Sequence, residues 1–212
     1  MTRETRDRRA ISRATANIIA LYLDAPELTQ SAGHLWYYEE GKRCADFARR
    51  HGLTRDAVAG AAAAISPGMN WDYVFSHLAA LRRDPESKVP TYSREFVRRA
   101  VACLNGADPL DVLGGPKVRA FYSLLARRDM DAVVIDGHAW NIARGASDDF
   151  RNRPGYTPPA AGQVTARRYR IAAAAYREAA EVLGEPAHSV QACTWVHWKS
   201  IHSQRGREPG ED

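Results

Sequence analysis

Alternating runs of β-branched residues, the pattern that commits a chain to half-buried strands, are almost missing here. Val133-Val134-Ile135-Asp136 is the single apolar β-branched cluster. Helical periodicity takes the place of strands. Ile11, Ala14, Ile18 and Leu21 recur at spacings of three and four and give the segment from Asp7 to Leu23 one apolar face. Pro26 and the polar stretch from Gln30 to Gly33 then predict a break, with a second helix from Leu35 to Arg50. Thr54 reads as the cap of an alanine-rich third helix, which Ser66-Pro67-Gly68 ends. Asn70 is placed to cap the helix from Trp71 to Arg83. Thr91 or Ser93 opens another helix, closed by Asn105-Gly106. Asp108-Pro109 starts a short helix, and Pro116 the next, running to Arg128. Pro116 suits a first helical position because the N–H it lacks would have no intrahelical partner there. Two further helices, from Val164 to Gly184 and from His188 to Ser200, complete an all-α chain.

At 212 residues, with 45% hydrophobic and 26% charged side chains, the chain can bury a full core as one large domain or two lobes. The order of elements predicts two helical lobes with a cleft between them. N-terminal helices at 1–54 would pack with C-terminal helices at 164–203. Residues 55–145 would form the central group, 146–163 a Pro/Gly-rich loop and 204–212 a disordered tail. No apolar run approaches the ~20 residues of a membrane span, and the charged N-terminus precedes an amphipathic helix rather than a signal-peptide core. A cytoplasmic monomer with no membrane partner is expected. Cys44, Cys103 and Cys193 are too few and too scattered for a disulfide framework or a zinc ribbon. His197 and His202 are badly spaced for one helical face, so neither a metal nor another cofactor is expected.

The net charge is +5, and only Lys42, Lys88, Lys117 and Lys199 among the 30 basic residues are lysines. Arginine dominance suits bidentate contacts to phosphate. Lys117 is thus a rare residue type, and it follows Gly114-Gly115-Pro116 at the start of a helix. A glycine hairpin between helices can bring backbone N–H groups against a phosphate, helped by the positive end of the helix dipole. One helix later, Asp136 follows an apolar run and precedes His138.

The order Leu113-Gly114-Gly115-Pro116-Lys117, helix, Ile135-Asp136-Gly137-His138-Ala139 resembles the core of the helix-hairpin-helix DNA glycosylase superfamily. In that family a hairpin Leu-Pro-Gly-x-Gly-x-Lys is followed, after one helix, by Val-Asp-Thr-His-Val. Ile65-Ser66 matches part of the family's Leu-Ser-x-Gln turn, with Gly68 where the glutamine would be. Arg99-Ala100 sits where the next helix often reads Lys-Ala. The likeness covers roughly residues 55 to 145. The hairpin is one residue shorter ahead of its second glycine, and the cysteine cluster that follows the core in many members is absent. The phrasing is similar to a divergent phage-associated branch linked to hypermodified thymine.

The resemblance implies an enzyme acting on DNA, either a duplex with a flipped base or a single strand, in a bacterial or phage-infected cell. The expected reaction is N-glycosidic cleavage at a modified or damaged pyrimidine, for example of the 5-hydroxymethyluracil type. Asp136 would stabilise the cationic sugar, and Lys117 would assist or act as nucleophile. Gly114, Gly115, Lys117 and Arg119 would hold DNA, with Arg94, Arg98 and Arg99 as further candidates. Asn70, Trp71, His138 and Tyr122 would line the substrate pocket. Two other readings stand beside this one: a transferase that hypermodifies thymine-derived bases in phage DNA, and a non-catalytic DNA-binding module. Asp136 is also well placed as a plain helix cap.

Overall fold

The computed structural model describes residues 2–91, 93–146 and 164–204, and among them it is all-helical. The loop at 147–163 and the tail at 205–212 lie outside the described residues. Among the described residues ten α-helices run in order: α1 (Arg3–Asp24), α2 (Glu27–His51), α3 (Arg55–Ile65), α4 (Val74–Arg83), α5 (Arg94–Leu104), α6 (Pro109–Val112), α7 (Pro116–Ala126), α8 (Gly137–Ala143), α9 (Ala166–Leu183) and α10 (Ala187–Gln204). None among the described residues is long and apolar enough to cross a membrane. Val133-Val134-Ile135 is not a strand. It is a buried linker, and the Tyr169 hydroxyl donates to the Val133 carbonyl at 2.8 Å.

Side-chain caps set most helix starts. Thr54 accepts from Ala57 N, Ser93 from Glu95 N and Asp108 from Leu110 N. Asn70 caps a 3-10 turn at Trp71–Tyr73 that leads into α4. The break predicted at Gln30–Gly33 is absent, because α2 begins at once after Pro26. The Pro26 carbonyl accepts from Thr29 N at 2.8 Å and Gln30 N at 3.0 Å. The Gln30 amide turns back to the carbonyls of Tyr22 and Ala25, at 3.0 and 3.1 Å, and so supplies donors to the end of α1. Gly33 is helical for a tertiary reason: a Cβ there would lie 2.4 Å from Cys193 Cα.

The chain divides into two compact units, residues 1–36 with 133–212, and residues 37–132. The divisions at 36/37 and 132/133 differ from those drawn at 54 and 145 from the sequence, so Asp136 belongs to the unit formed by the chain ends. In that unit Ala14, Ala172, Ala175 and Ala179 keep helix surfaces thin where Ile18, Ile142 and Tyr176 fill the core. Burying a side chain such as Ile18 contributes roughly 1.5–3 kcal/mol. His197 is buried, with Nε2 3.0 Å from an Asp24 oxygen.

In the second unit α3 is the centre. Every residue from Ala57 to Ile65 is buried, and α5 and α7 pack on it. Around it runs a chain of aromatic contacts: Tyr37 with Phe121 at 6.3 Å, Phe121 with Trp71 at 5.2 Å, Trp71 with Phe75 at 6.1 Å and Phe75 with Phe47 at 5.9 Å. The three cysteines are free and buried. Burial pushes the Cys44, Cys103 and Cys193 thiols up to about 12, 11 and 12, so they are not reactive thiolates.

Candidate functional site

The hairpin forms between α6 and α7. Asp108 and Pro109 start α6, and its end is sealed when Leu113 N donates to the Pro109 carbonyl at 2.9 Å. Leu113 is buried and anchors the turn. Gly115 then takes φ +76° and ψ 147°, a positive φ that glycine adopts without the cost a Cβ would add. Pro116 opens α7, and no side chain caps it. The N–H groups of Lys117 and Val118 are therefore first-turn donors of the kind that find no partner within a helix.

Cations gather round this turn. Arg119 reaches back one turn, and its Nε donates to the Leu113 carbonyl at 2.8 Å. That bond braces the hairpin and uses one of the five guanidinium donors. Arg99, from α5, lies against Gly114: a Cβ on Gly114 would sit 2.7 Å from Arg99 Nη1. Glu95 holds Arg99 in place, accepting from Nε at 3.0 Å. Lys117 is half-buried and has no acidic partner among the described residues. Arg98, also on α5, lies 3.8 Å from Glu95 and is largely exposed.

Asp136 is the cap of α8 in the other unit. Its Oδ1 accepts from Ala139 N at 2.8 Å, and Trp140 N donates to its carbonyl at 3.0 Å. No further hydrogen bond to its carboxylate is present among the described residues, so one oxygen is fixed and the other is spare. Burial, and to a smaller extent the Asp136 charge, holds the nearby Tyr176 phenol above its ordinary range, so that group stays protonated. His138 is half-buried in the first turn of α8.

The remaining expected site residues do other work. Asn70 is exposed and occupied as a cap, accepting from Asp72 N at 3.2 Å. Trp71 is half-buried within the aromatic chain, between Phe75 and Phe121. Tyr122 is fully buried. Its hydroxyl donates to Asp56 Oδ1 at 3.2 Å, where Arg128 also donates through Nε at 2.9 Å, with Nη2 on Oδ2 at 2.8 Å. Burial, then the Asp56 charge, pushes the Tyr122 phenol up to about 12. Sequence periodicity hid this strut, since Tyr122 shares its helix with the exposed Arg119. The contact of Arg99 with Gly114 was equally hidden, although the pairing of a glycine turn with a preceding Arg-rich helix was a usable signal.

Among the described residues no group of three or more His, Cys, Asp or Glu side chains is placed to hold a metal ion. Within its own unit the hairpin can offer backbone N–H donors and a cationic surround to an anion; within the other, α8 carries an oriented carboxylate. No curated protein and no solved structure matches the chain. A family pattern matches residues 1–202, and the chain belongs to that family of unknown function (DUF7178).

Proposed function

We propose that the chain is a helix-hairpin-helix, DNA glycosylase-like enzyme that acts on a modified or damaged pyrimidine. The observation that carries this reading is the α7 start: a positive-φ Gly115 with no side-chain cap, ringed by Lys117, Arg119 and Arg99. A DNA phosphate supplies what that turn lacks, an acceptor for the first-turn N–H groups and a counter-charge for the cations.

Asp136 is then the acid of the reaction. As the base leaves, positive charge builds at the sugar C1′, and a fixed carboxylate with a spare oxygen stabilises it and takes the proton of an attacking water. Lys117 contacts the phosphate or, in a strand-cleaving variant, attacks C1′ through Nζ to give a Schiff base. A second reading is a DNA-binding module without chemistry. It is favoured by one fact: capping α8 accounts for Asp136 by itself.

Oligonucleotides carrying 5-hydroxymethyluracil, uracil or an oxidised pyrimidine decide between them. The glycosylase releases free base, and Asp136→Asn abolishes release while DNA binding persists. Binding without release by the wild type on every substrate assigns the module. A gain in DNA mass, given an amine and a phosphorylated hydroxymethyl base, assigns the transferase.

A further inference from the structure

Seven described residues have positive φ, and six of them are glycines. The seventh is Arg127, at φ 57° and ψ 38° as the C-cap of α7. A side chain in this left-handed conformation is strained, and glycine or asparagine usually fills it. The Arg127 N–H donates to the Leu124 carbonyl at 3.1 Å, a bond any residue would make, and the helix end does not need the Arg127 side chain for its carbonyls. Arg55 already serves the Leu125 carbonyl, with Nε at 3.1 Å and Nη2 at 2.8 Å. Gly41 of α2 makes room for that arm, because a Cβ there would lie 2.4 Å from Arg55 Nη2. Arg127 thus adds a second cation beside Arg55. Burial, then the repelling Arg127 charge, lowers the Arg55 pKa.

Arg127 instead meets an aromatic ring. Its guanidinium carbon lies 4.5 Å from the centroid of Tyr38, and Lys42 Nζ lies 5.7 Å from the same ring. Tyr38 is 46% exposed, an open aromatic on a helix between two cations. Glu39 pairs with Lys42 at 3.3 Å, but both side chains are about half exposed, and such pairs exchange readily for another anion. Tyr38, Lys42, Arg55 and Arg127 all belong to the unit at 37–132.

We infer, building on the DNA-binding reading above, that Tyr38, Lys42 and Arg127 form a second DNA contact, one that takes an unpaired strand. Tyr38 and the Arg127 guanidinium stack on an exposed base, and Lys42 with Arg127 meets the adjoining phosphates. Stacking on an open ring requires bases that are not already stacked in a duplex, which selects single-stranded DNA. The strain at Arg127 is retained because the side chain, not the backbone, is what the position is for.

This predicts a separation that a merely structural residue would not show. Arg127→Gly relieves the backbone, so its melting temperature stays the same or rises, yet its affinity for a fluorescein-labelled oligo-dT falls about fivefold or more. Its slope of log affinity against log salt becomes shallower by about 0.7. Tyr38→Ala weakens binding similarly, while Tyr38→Phe keeps it, since the ring and not the hydroxyl stacks. Wild-type oligo-dT affinity in both Arg127→Gly and Tyr38→Ala overturns the second contact. If Lys117→Ala still weakens duplex binding in that case, the hairpin reading survives alone. A wild-type protein that binds neither oligo-dT nor duplex overturns both.

Discussion

Two helix starts in this molecule solve the same electrostatic problem in opposite ways. At α8 the chain closes its own first turn, with Asp136 supplying the anion and the acceptor. At α7 Gly115 offers no side chain and Pro116 no N–H, and the surroundings are cationic. One start has its acceptor within the chain; the other has no side-chain acceptor and leaves its first N–H groups to water or an external anion. The difference separates binding from chemistry. A turn without a cap can hold a phosphate, whereas a capped turn fixes a carboxylate in one orientation, which is what a developing sugar cation needs.

The largest expected effect lies at α8. Asp136→Asn should lower single-turnover base release by about a thousandfold, roughly 4 kcal/mol in the barrier. Its melting temperature should barely change, because asparagine caps as well as aspartate. Undiminished release would reduce Asp136 to a cap and remove the contrast. Next comes Lys117→Ala at the uncapped start. Duplex affinity should fall about tenfold, and the salt slope should lose about one ion. Unchanged affinity would mean that α7 is left uncapped for water.

A smaller effect is expected for Gly115→Ala, measured by denaturant melts. Forcing a Cβ onto φ +76° and ψ 147° should cost about 1–3 kcal/mol and weaken duplex binding together with the hairpin. If stability falls but affinity holds, the turn geometry is not what DNA reads. The smallest effect concerns a third helix start, α3, where Asp56 lies in the first turn. Hydrogen bonds from Arg128 hold its carboxyl below the ordinary range, followed in weight by the opposing effect of burial. Its contribution is therefore complete above the unfolded value, about 3.9, and is lost as pH falls through the lower folded value. Asp56→Asn should make the drop in melting temperature between pH 6 and pH 3 shallower. An unaltered slope would show that the pair carries no acid sensitivity.

Much of this was legible in residues whose effect is local. Thr54, Ser93, Asp108 and Asp136 were readable as caps because a short polar side chain before an apolar period bonds a nearby N–H whatever the tertiary structure. Gly114-Gly115-Pro116 was readable because glycine and proline act on their own backbone dihedrals. The readings that went astray depended on distant partners. Gly33 looked like a break and is a contact surface for Cys193. The bond of Tyr122 to Asp56, which Arg128 shares, joins positions 66 apart. Tyr38 and Arg127 are 89 positions apart in the numbering, so nothing along the chain announced that the two would stack. The division of the chain within α2 was equally invisible, since the helix runs on without interruption.

The alanine run of α3 bears on how this family can vary. A helix buried on all sides has no outward face on which a longer side chain could be parked, so its neighbours set an upper size limit at nine successive positions. In a saturation scan those positions should form an unbroken band tolerant only of residues as small as the ones present, where an ordinary amphipathic helix shows stripes. Drift in sequence will therefore accumulate around α3 and not in it, and the band can serve as a ruler for aligning distant members whose hairpins have changed.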